Sequence, residues 1–386
     1  MFVRIGNTPR DYAWGSTTAM AELLGTEPSG RPEAELWLGA HPGSPARVLD
    51  PELAGGAADL AAWERTSDLP YLLKVLAAES PLSLQAHPSS EQARAGFERE
   101  NAAGLAPGSP DRNYKDPFHK PELIFALSDP FEALCGFRDP ALSRAALERL
   151  AAATTGGAVL SGFARTLEGD PAAVLRHATE WLLGGYPDVD LLVAEVVRAA
   201  RALPDDRDAQ SVRMVDDAFP GDPGIVLALL LNRATLRPGE VLYLPAGNIH
   251  AYLRGLGIEL MAASDNVLRG GLTRKRIDVP ELVSVLDFTP IRPTPLAPEH
   301  PAPGVETFRP DVPDFALEHI SLAGDVGSAT VPLPGPAIAL ATEGEIDLRG
   351  ATGSLRLERG QAAIVTEEAE LTASGHGVLF VAHPNG

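Results

Sequence analysis

The chain has 386 residues, 45% of them hydrophobic, enough for two or three domains with full cores. A formal charge of −20 and a pI near 4.8 exclude a nucleic-acid binder, whose phosphate contacts need a basic footprint. One cysteine excludes an internal disulfide framework, no apolar run approaches the ~20 residues that span a bilayer, and the start of the chain has no apolar signal core, so a cytoplasmic protein without membrane contact is expected.

In chain order, Asp11-Tyr12-Ala13-Trp14-Gly15 and Ala34-Glu35-Leu36-Trp37-Leu38-Gly39-Ala40-His41-Pro42 alternate aromatics with small residues, as short strands and turns do, and their tryptophans read as core. Leu72 to Leu76 reads as a buried strand interrupted by one cation, Lys74, which is costly unless a charged group or ligand meets it. Lysine is rare here. The four present, Lys74, Lys115, Lys120 and Lys275, stand against 28 arginines. A lysine retained in such a chain suggests a need for its compact ammonium or its tunable pKa.

In Ser83-Leu84-Gln85-Ala86-His87-Pro88 a strand would put Gln85 and His87 on one face. Ser89 and Gln92 then fit a capping box opening a helix to about Asn101. His119-Lys120-Pro121-Glu122 precedes the apolar run Leu123 to Leu127, a further strand with a carboxylate near its start. Cys135, among Ala133, Leu134, Gly136 and Phe137, reads as a buried, inert thiol.

From Asp139 the texture turns helical. Asp139-Pro140 and Asp170-Pro171 each place an N-cap acid before a first-turn proline, Gly184-Gly185 ends the second helix, and another runs from about Val189 to Leu203. His177 reads as a helix-surface residue.

Gly239, Pro245, Gly247 and His250 then describe a strand, Val241 to Leu244, a Pro/Gly turn and an imidazole at the start of the next strand. This spacing is the second half of the cupin pattern, a jelly roll holding a divalent metal. A lone histidine after a turn is more often structural; Gln85, His87 and Glu122 upstream reverse that reading. Imidazole, carboxylate and amide oxygen form an N/O donor set suited to zinc, with iron, manganese or cobalt as substitutes. Glu259, Asp265, Arg269 and Lys275 lie at odd offsets from His250, so simple alternation sets them opposite it. Only a turn or bulge between them would bring all five to one cavity.

Beyond Asp287, the proline-rich Thr289 to Pro303 reads as a surface linker. Short strands follow at Ala337 to Thr342, Gly344 to Leu348, Leu355 to Leu357, Ala362 to Val365 and Val378 to Val381, suggesting a second jelly roll. It lacks both metal motifs and is expected to be metal-free, with His376 and His383 as turn and terminal residues. The fold class is therefore mainly β with a helical insertion: two cupin-type jelly-roll barrels plus an α-helical domain. Residues 1–138 and 232–287 are assigned to the metal-binding catalytic barrel, 139–231 to the insertion, and 288–386 to the linker and second barrel.

The motifs SLQAHP, HKPEL and PAGNIHAYLRGLGIELMAASDNVLRGGLTRK, with weaker support from DYAWGS, AELWLGAHP and LLKVL, resemble the type I mannose-6-phosphate isomerase (phosphomannose isomerase) family over nearly the whole chain. The resemblance implies a zinc-dependent aldose-ketose isomerase that interconverts D-mannose 6-phosphate and D-fructose 6-phosphate through an enediol, linking glycolysis to GDP-mannose supply. It implies one zinc per chain held by Gln85, His87, Glu122 and His250. Lys120, Glu259, Asp265 and Arg269 would surround the sugar, with His119, Tyr252 and Trp14 lining the pocket, and Ser83, Lys74 and Lys275 would face the phosphate. A monomer acting on a phosphorylated hexose is expected.

Three departures bear on pocket shape. Phe118 stands where the family commonly has Asn, Arg254 where the cupin pattern has Asn, and Ala13 where many members have proline. The chemistry supports the same reading: moving a proton between neighbouring carbons needs a titratable side chain, and the developing oxyanion needs a Lewis acid. The alternatives are another metal-dependent cupin enzyme, such as an iron oxygenase, and a non-catalytic sugar-phosphate binder.

Overall fold

A computed structural model describes residues 1–66, 68–155 and 157–386. The fold is organised around one 13-residue strand, His250–Ala262, which pairs antiparallel with Leu84–Ala86, Tyr71–Ala78, Glu122–Ala126 and Phe131–Phe137. Strands Leu268–Gly271, Glu35–Leu38, Leu231–Leu236 and Val241–Leu244 complete this N-terminal barrel. One strand serves so many neighbours because it bends. Its register shifts between Tyr252 and Arg254, so its first residues pair with Phe131–Phe137 and its later ones with Tyr71–Ala78 and Glu122–Ala126. Gly255 follows at φ +128°, and a Cβ there would lie 2.9 Å from Phe131 Cα, so the corner requires glycine.

The second barrel runs in the order Glu299–Ala302, Val305–Phe308, Ala316–Leu322, Glu370–His383, Ala337–Arg349 and Ala362–Val365, with Ser328–Pro332 and Ser354–Glu358 as side branches. Ala337–Arg349 is one strand where the sequence suggests two. Gly344, at φ +69° beside a register shift between Ala341 and Glu343, lets the strand continue through the irregularity. The expected linker also ends in structure, because Glu299–Ala302 pairs with Val305–Phe308.

Phe2–Gly6, expected in the first barrel, instead pairs with Ala362–Val365 in the second. Alternation shows that this segment is a strand but carries nothing about which edge it closes. The chain thus begins in the second barrel before building the first. Leu73, Val75, Phe125 and Ile258 pack in one core with Phe308, Phe315, Ile338 and Phe380 of the second barrel. Each such fully buried side chain contributes ~1.5–3 kcal/mol.

The helical layer follows its expected caps. Asp139 accepts from the Ala141 N–H and Asp170 from the Ala173 N–H, opening Pro140–Ala152 and Pro171–Leu183. Pro187–Arg201 follows, and the Ser89/Gln92 capping box opens Ser90–Ala102. Leu147, Leu160, Leu175 and Leu192 pack against Leu84, Leu134 and Phe137, so the insertion covers one face of the metal barrel. No helix among the described residues is long and apolar enough to cross a membrane.

Candidate metal centre and active-site cleft

Three strands bring the metal-type side chains together. His250 opens the central strand opposite both Gln85 and Cys135, His87 lies just past the end of Leu84–Ala86, and Glu122 begins its own strand opposite Met261. His87 Nδ1 lies 2.7 Å from the Asn266 carbonyl oxygen and His250 Nδ1 lies 3.1 Å from that of Asn248. A carbonyl accepts only, so each Nδ1 carries the proton and each Nε2 presents a lone pair.

Those lone pairs face a third acceptor. His87 Nε2 lies 3.2 Å from Glu122 Oε1 and His250 Nε2 lies 3.4 Å from Glu122 Oε2. One ligand atom from each residue falls within 4.8 Å of the other two, all three residues are buried, and His87 Nε2 has no hydrogen-bond partner among the described residues. An ion pair with a charged His87 does not explain the contact, because burial, assisted by Lys120, pushes that imidazole down to about 4. Burial works against ionising Glu122, yet the Lys120 ammonium holds its carboxyl well below the usual range. Two neutral imidazoles and a carboxylate converging through lone pairs, with the far ring nitrogens bonded to carbonyls, are the donor geometry of a divalent cation site. Gln85 pairs across from His250, with its amide nitrogen 3.4 Å from Ser83 Oγ, and lines the same void as Glu122 and His250.

Beside this centre lies a network of buried charges. Lys120 Nζ is 2.6 Å from Glu122 Oε1. Lys74 stands directly across from Trp37 on one side and Glu259 on the other. Its Nζ is 2.8 Å from Glu259 Oε2 and 3.6 Å from Glu35 Oε1, and it lies 4.9 Å over the Trp37 ring. Burial alone would lower the Lys74 pKa, but Glu259, Glu35 and Glu122 raise it, so the ammonium stays charged. Burial also raises Glu259, reinforced by Glu122 and opposed by Lys74. Lys74 therefore spends its hydrogen bonds on carboxylates. Glu35 goes unremarked in the sequence reading, although a cation in a buried strand signals an acid on a neighbouring strand.

A cleft of about 690 Å³ opens over the centre, walled by Trp14, Ser83, Gln85, Lys120, Asp265, Arg269 and Lys275. The register shift after Tyr252 resolves the odd spacing: Glu259 returns to the His250 face, Asp265 sits past the strand end, and Arg269 pairs back across from Gln85. Arg269 and Lys275 have no carboxylate in ion-pair range among the described residues, and Arg269, together with burial, lowers the Lys275 pKa. Two uncommitted cations in a chain of charge −20 point to an anionic ligand.

One expected pocket residue lies elsewhere. His119 does not line the cleft, and its Nε2 lies 2.8 Å from Asp314 Oδ2. Tyr252 is a pocket residue as expected: it lines a void of about 60 Å³ together with the metal-type donors Gln85, Glu122 and His250 and with Glu259, Lys74 and Lys120. Of the departures, Arg254 points outward to Glu132, with Nε 2.6 Å from Oε2, and Phe118 is 59% exposed. His383 also differs from its expected terminal place: it is fully buried, with Nε2 3.2 Å from Glu318 Oε1. Cys135 is buried as expected, which pushes its thiol up to about 11.

The barrel and its donor set define a metal-dependent enzyme of the cupin type. The profile described as "Phosphomannose isomerase type I, catalytic domain" matches residues 2–140. Over 390 aligned residues and 97% of both chains, the protein is 37% identical to mannose-6-phosphate isomerase of Escherichia coli K12; identity to the Bos taurus protein of the same name is 33%, over 91% of this chain and 90% of that one. A zinc-bound mannose 6-phosphate isomerase structure superposes with a TM-score of 0.84 at 35% identity, each chain fully covered. A single-site variant of phosphomannose isomerase from Salmonella typhimurium gives 0.86 at the same identity and coverage. The chain belongs to the type I mannose-6-phosphate isomerase family.

Proposed function

We propose that this chain interconverts mannose 6-phosphate and fructose 6-phosphate, as a cytoplasmic monomer, with one zinc held by Gln85, His87, Glu122 and His250. The observation that carries the reading is the convergence of the two Nε2 lone pairs on Glu122 at the floor of a cleft with unpaired cations at its rim. When bound, zinc supplies a Lewis acid that polarises the sugar oxygens at the reacting carbons.

The protein's own groups divide the remaining work. Lys120 Nζ and the Asp265 carboxylate are the proton-exchanging groups, with Glu259 assisting. Arg269 meets the negative charge that develops on oxygen. Lys275, with Ser83, meets the phosphate, and Trp14 walls the sugar. Lys74 holds the Glu259 carboxylate in place. Tyr252 lines the pocket beside the metal donors, and His119 supports the cleft from its place against Asp314. The distances 2.6 Å for Lys120 to Glu122 and 2.8 Å for Lys74 to Glu259 support these positions.

Isomerisation in deuterated water tests the reading, because a side-chain acid exchanges its proton with solvent before returning it. Deuterium is expected on the carbon that receives the hydrogen. Complete retention of the substrate hydrogen under slow turnover contradicts proton transfer.

A further inference from the structure

The cleft wall contains a histidine to which the roles above give no task. His41 ends the segment Glu35 to Pro42, and its Nε2 lies 3.0 Å from Asp265 Oδ1. The side chain of His41 is 11% exposed and that of Asp265 is 52% exposed, so the imidazole forms the protected side of the pair and the carboxylate the side open to the cleft.

The tautomer follows from the local backbone. The Gly43 N–H donates to His41 Nδ1 at 3.0 Å, so Nδ1 carries a lone pair and the single ring proton sits on Nε2, directed at Asp265. Gly43 suits this approach, since a Cβ there would crowd the ring at 3.1 Å from Nδ1 and 3.2 Å from Cε1. The ring plane is set by Trp37, which meets it edge-on with centroids 4.9 Å apart and an interplanar angle of 89°. Trp37 is fixed in turn, its indole N–H donating to Glu35 Oε2 at 2.9 Å.

Asp265 has few other restraints. Its backbone N–H donates to Asp116 Oδ2 at 2.8 Å, but Oδ2 of its own carboxylate makes no hydrogen bond among the described residues. The hydrogen bond from His41 is the largest influence holding this carboxyl below its ordinary range, ahead of the opposing effect of burial.

We propose that His41 is a positioning residue for the isomerisation: its Nε2–H clamps Oδ1 of Asp265 and leaves Oδ2 for the cleft. This rests on the assignment of Asp265 to proton exchange. Among the described residues no hydrogen bond or ion pair joins His41 to Gln85, His87, Glu122 or His250, and its tie to the reacting groups runs through Asp265, so its effect should fall on turnover rather than on zinc content. A displaced reacting group costs rate steeply, so removing the clamp is expected to lower kcat about tenfold to a hundredfold.

Steady-state kinetics and zinc content of zinc-loaded His41→Ala, His41→Gln, His41→Asn and Asp265→Asn, with the His41→Ala/Asp265→Asn double variant, test it. The glutamine amide nitrogen occupies the place of Nε2 and the asparagine amide that of Nδ1. His41→Ala and His41→Asn should lose kcat with KM for mannose 6-phosphate changed less than about threefold and zinc retained, His41→Gln should recover most of the loss, and the double variant should be no slower than Asp265→Asn alone. If Asp265→Asn is impaired while His41→Ala turns over normally, the clamp is overturned and the Asp265 assignment stands. If the glutamine and asparagine variants are equally impaired, or the losses of the double variant multiply, His41 acts only as structure and the clamp is again overturned. If Asp265→Asn keeps full turnover, the assignment fails and the clamp falls with it.

Discussion

The two barrels share an architecture and differ in what they enclose. The first buries Lys74, Lys120, Glu122, Glu259, Glu35, His87 and His250 between its sheets. The second is filled by Val305, Ile320, Leu322, Ala339, Ile346, Leu348, Leu357 and Leu379. Buried charges cost free energy unless paired or bound to an ion, so an apolar filling is the default for such a barrel. The difference teaches that the fold leaves one barrel interior free for chemistry, and that the second barrel adds apolar packing to the first barrel's own cluster around Leu76, Ile124, Phe131 and Leu242. Their shared core around Phe125, Phe308 and Phe380 is where that packing is delivered.

The largest expected effect comes from the same substitution made in each barrel. Glu122→Gln removes the anionic donor between the two imidazoles, so zinc should be lost and kcat/KM should fall by ~10³-fold or more. Glu318, equally buried beside His383, lies in the second barrel and does not line the cleft. Glu318→Gln should destabilise by ~1–3 kcal/mol through its unsatisfied neighbours while kcat stays within about twofold. Kinetics with thermal unfolding checks both, and a kinetic loss in Glu318→Gln as deep as in Glu122→Gln would erase the contrast.

Next comes the cost of a buried cation against that of a buried leucine. Lys74→Met strands Glu259 and Glu35 without a counter-charge, which should cost ~3–5 kcal/mol and also lower turnover. Leu348→Ala should cost a similar ~2–5 kcal/mol from the cavity left behind. Turnover by the folded fraction of that variant should be normal. Denaturant titration paired with the isomerisation assay separates the two. The smallest effect belongs to the rim: Lys275→Ala should narrow the preference for mannose 6-phosphate over mannose by about tenfold to a hundredfold, one charge-assisted hydrogen bond of ~1.5–3 kcal/mol. An unchanged preference would remove Lys275 from the phosphate site.

Much of this was legible in the sequence because the relevant signals are local. Gln85 and His87 share a face by alternation, the Pro245/Gly247 turn delivers His250, and Asp139 and Asp170 mark their helices by side-chain chemistry alone. What was not legible depends on pairing between distant segments. The shift at Tyr252 and Arg254 that reconciles Glu259 with His250 was required by the spacing, yet its position is set by Phe131 and Glu132 across the ladder. Phe2–Gly6 reads as a strand for either barrel, and only the partner Ala362–Val365 decides. His119 precedes its strand, and only the contact with the distant Asp314 shows that it is taken away from the cleft. Trp14 and Trp37 read as core in the sequence but are half-buried and line the cleft, and Glu35 and His41 beside Trp37 meet charges, Lys74 and Asp265, that lie far along the chain.

The central claim is that one cation in the first barrel makes this fold an isomerase, and stoichiometric reconstitution tests it most directly. Chelated protein, returned to zinc in fractions of an equivalent, should be inactive at the start and regain mannose 6-phosphate isomerisation in proportion to zinc bound, reaching its plateau at one zinc per chain. Full activity in the metal-free protein, or a plateau only at two tightly held zincs per chain, would contradict it.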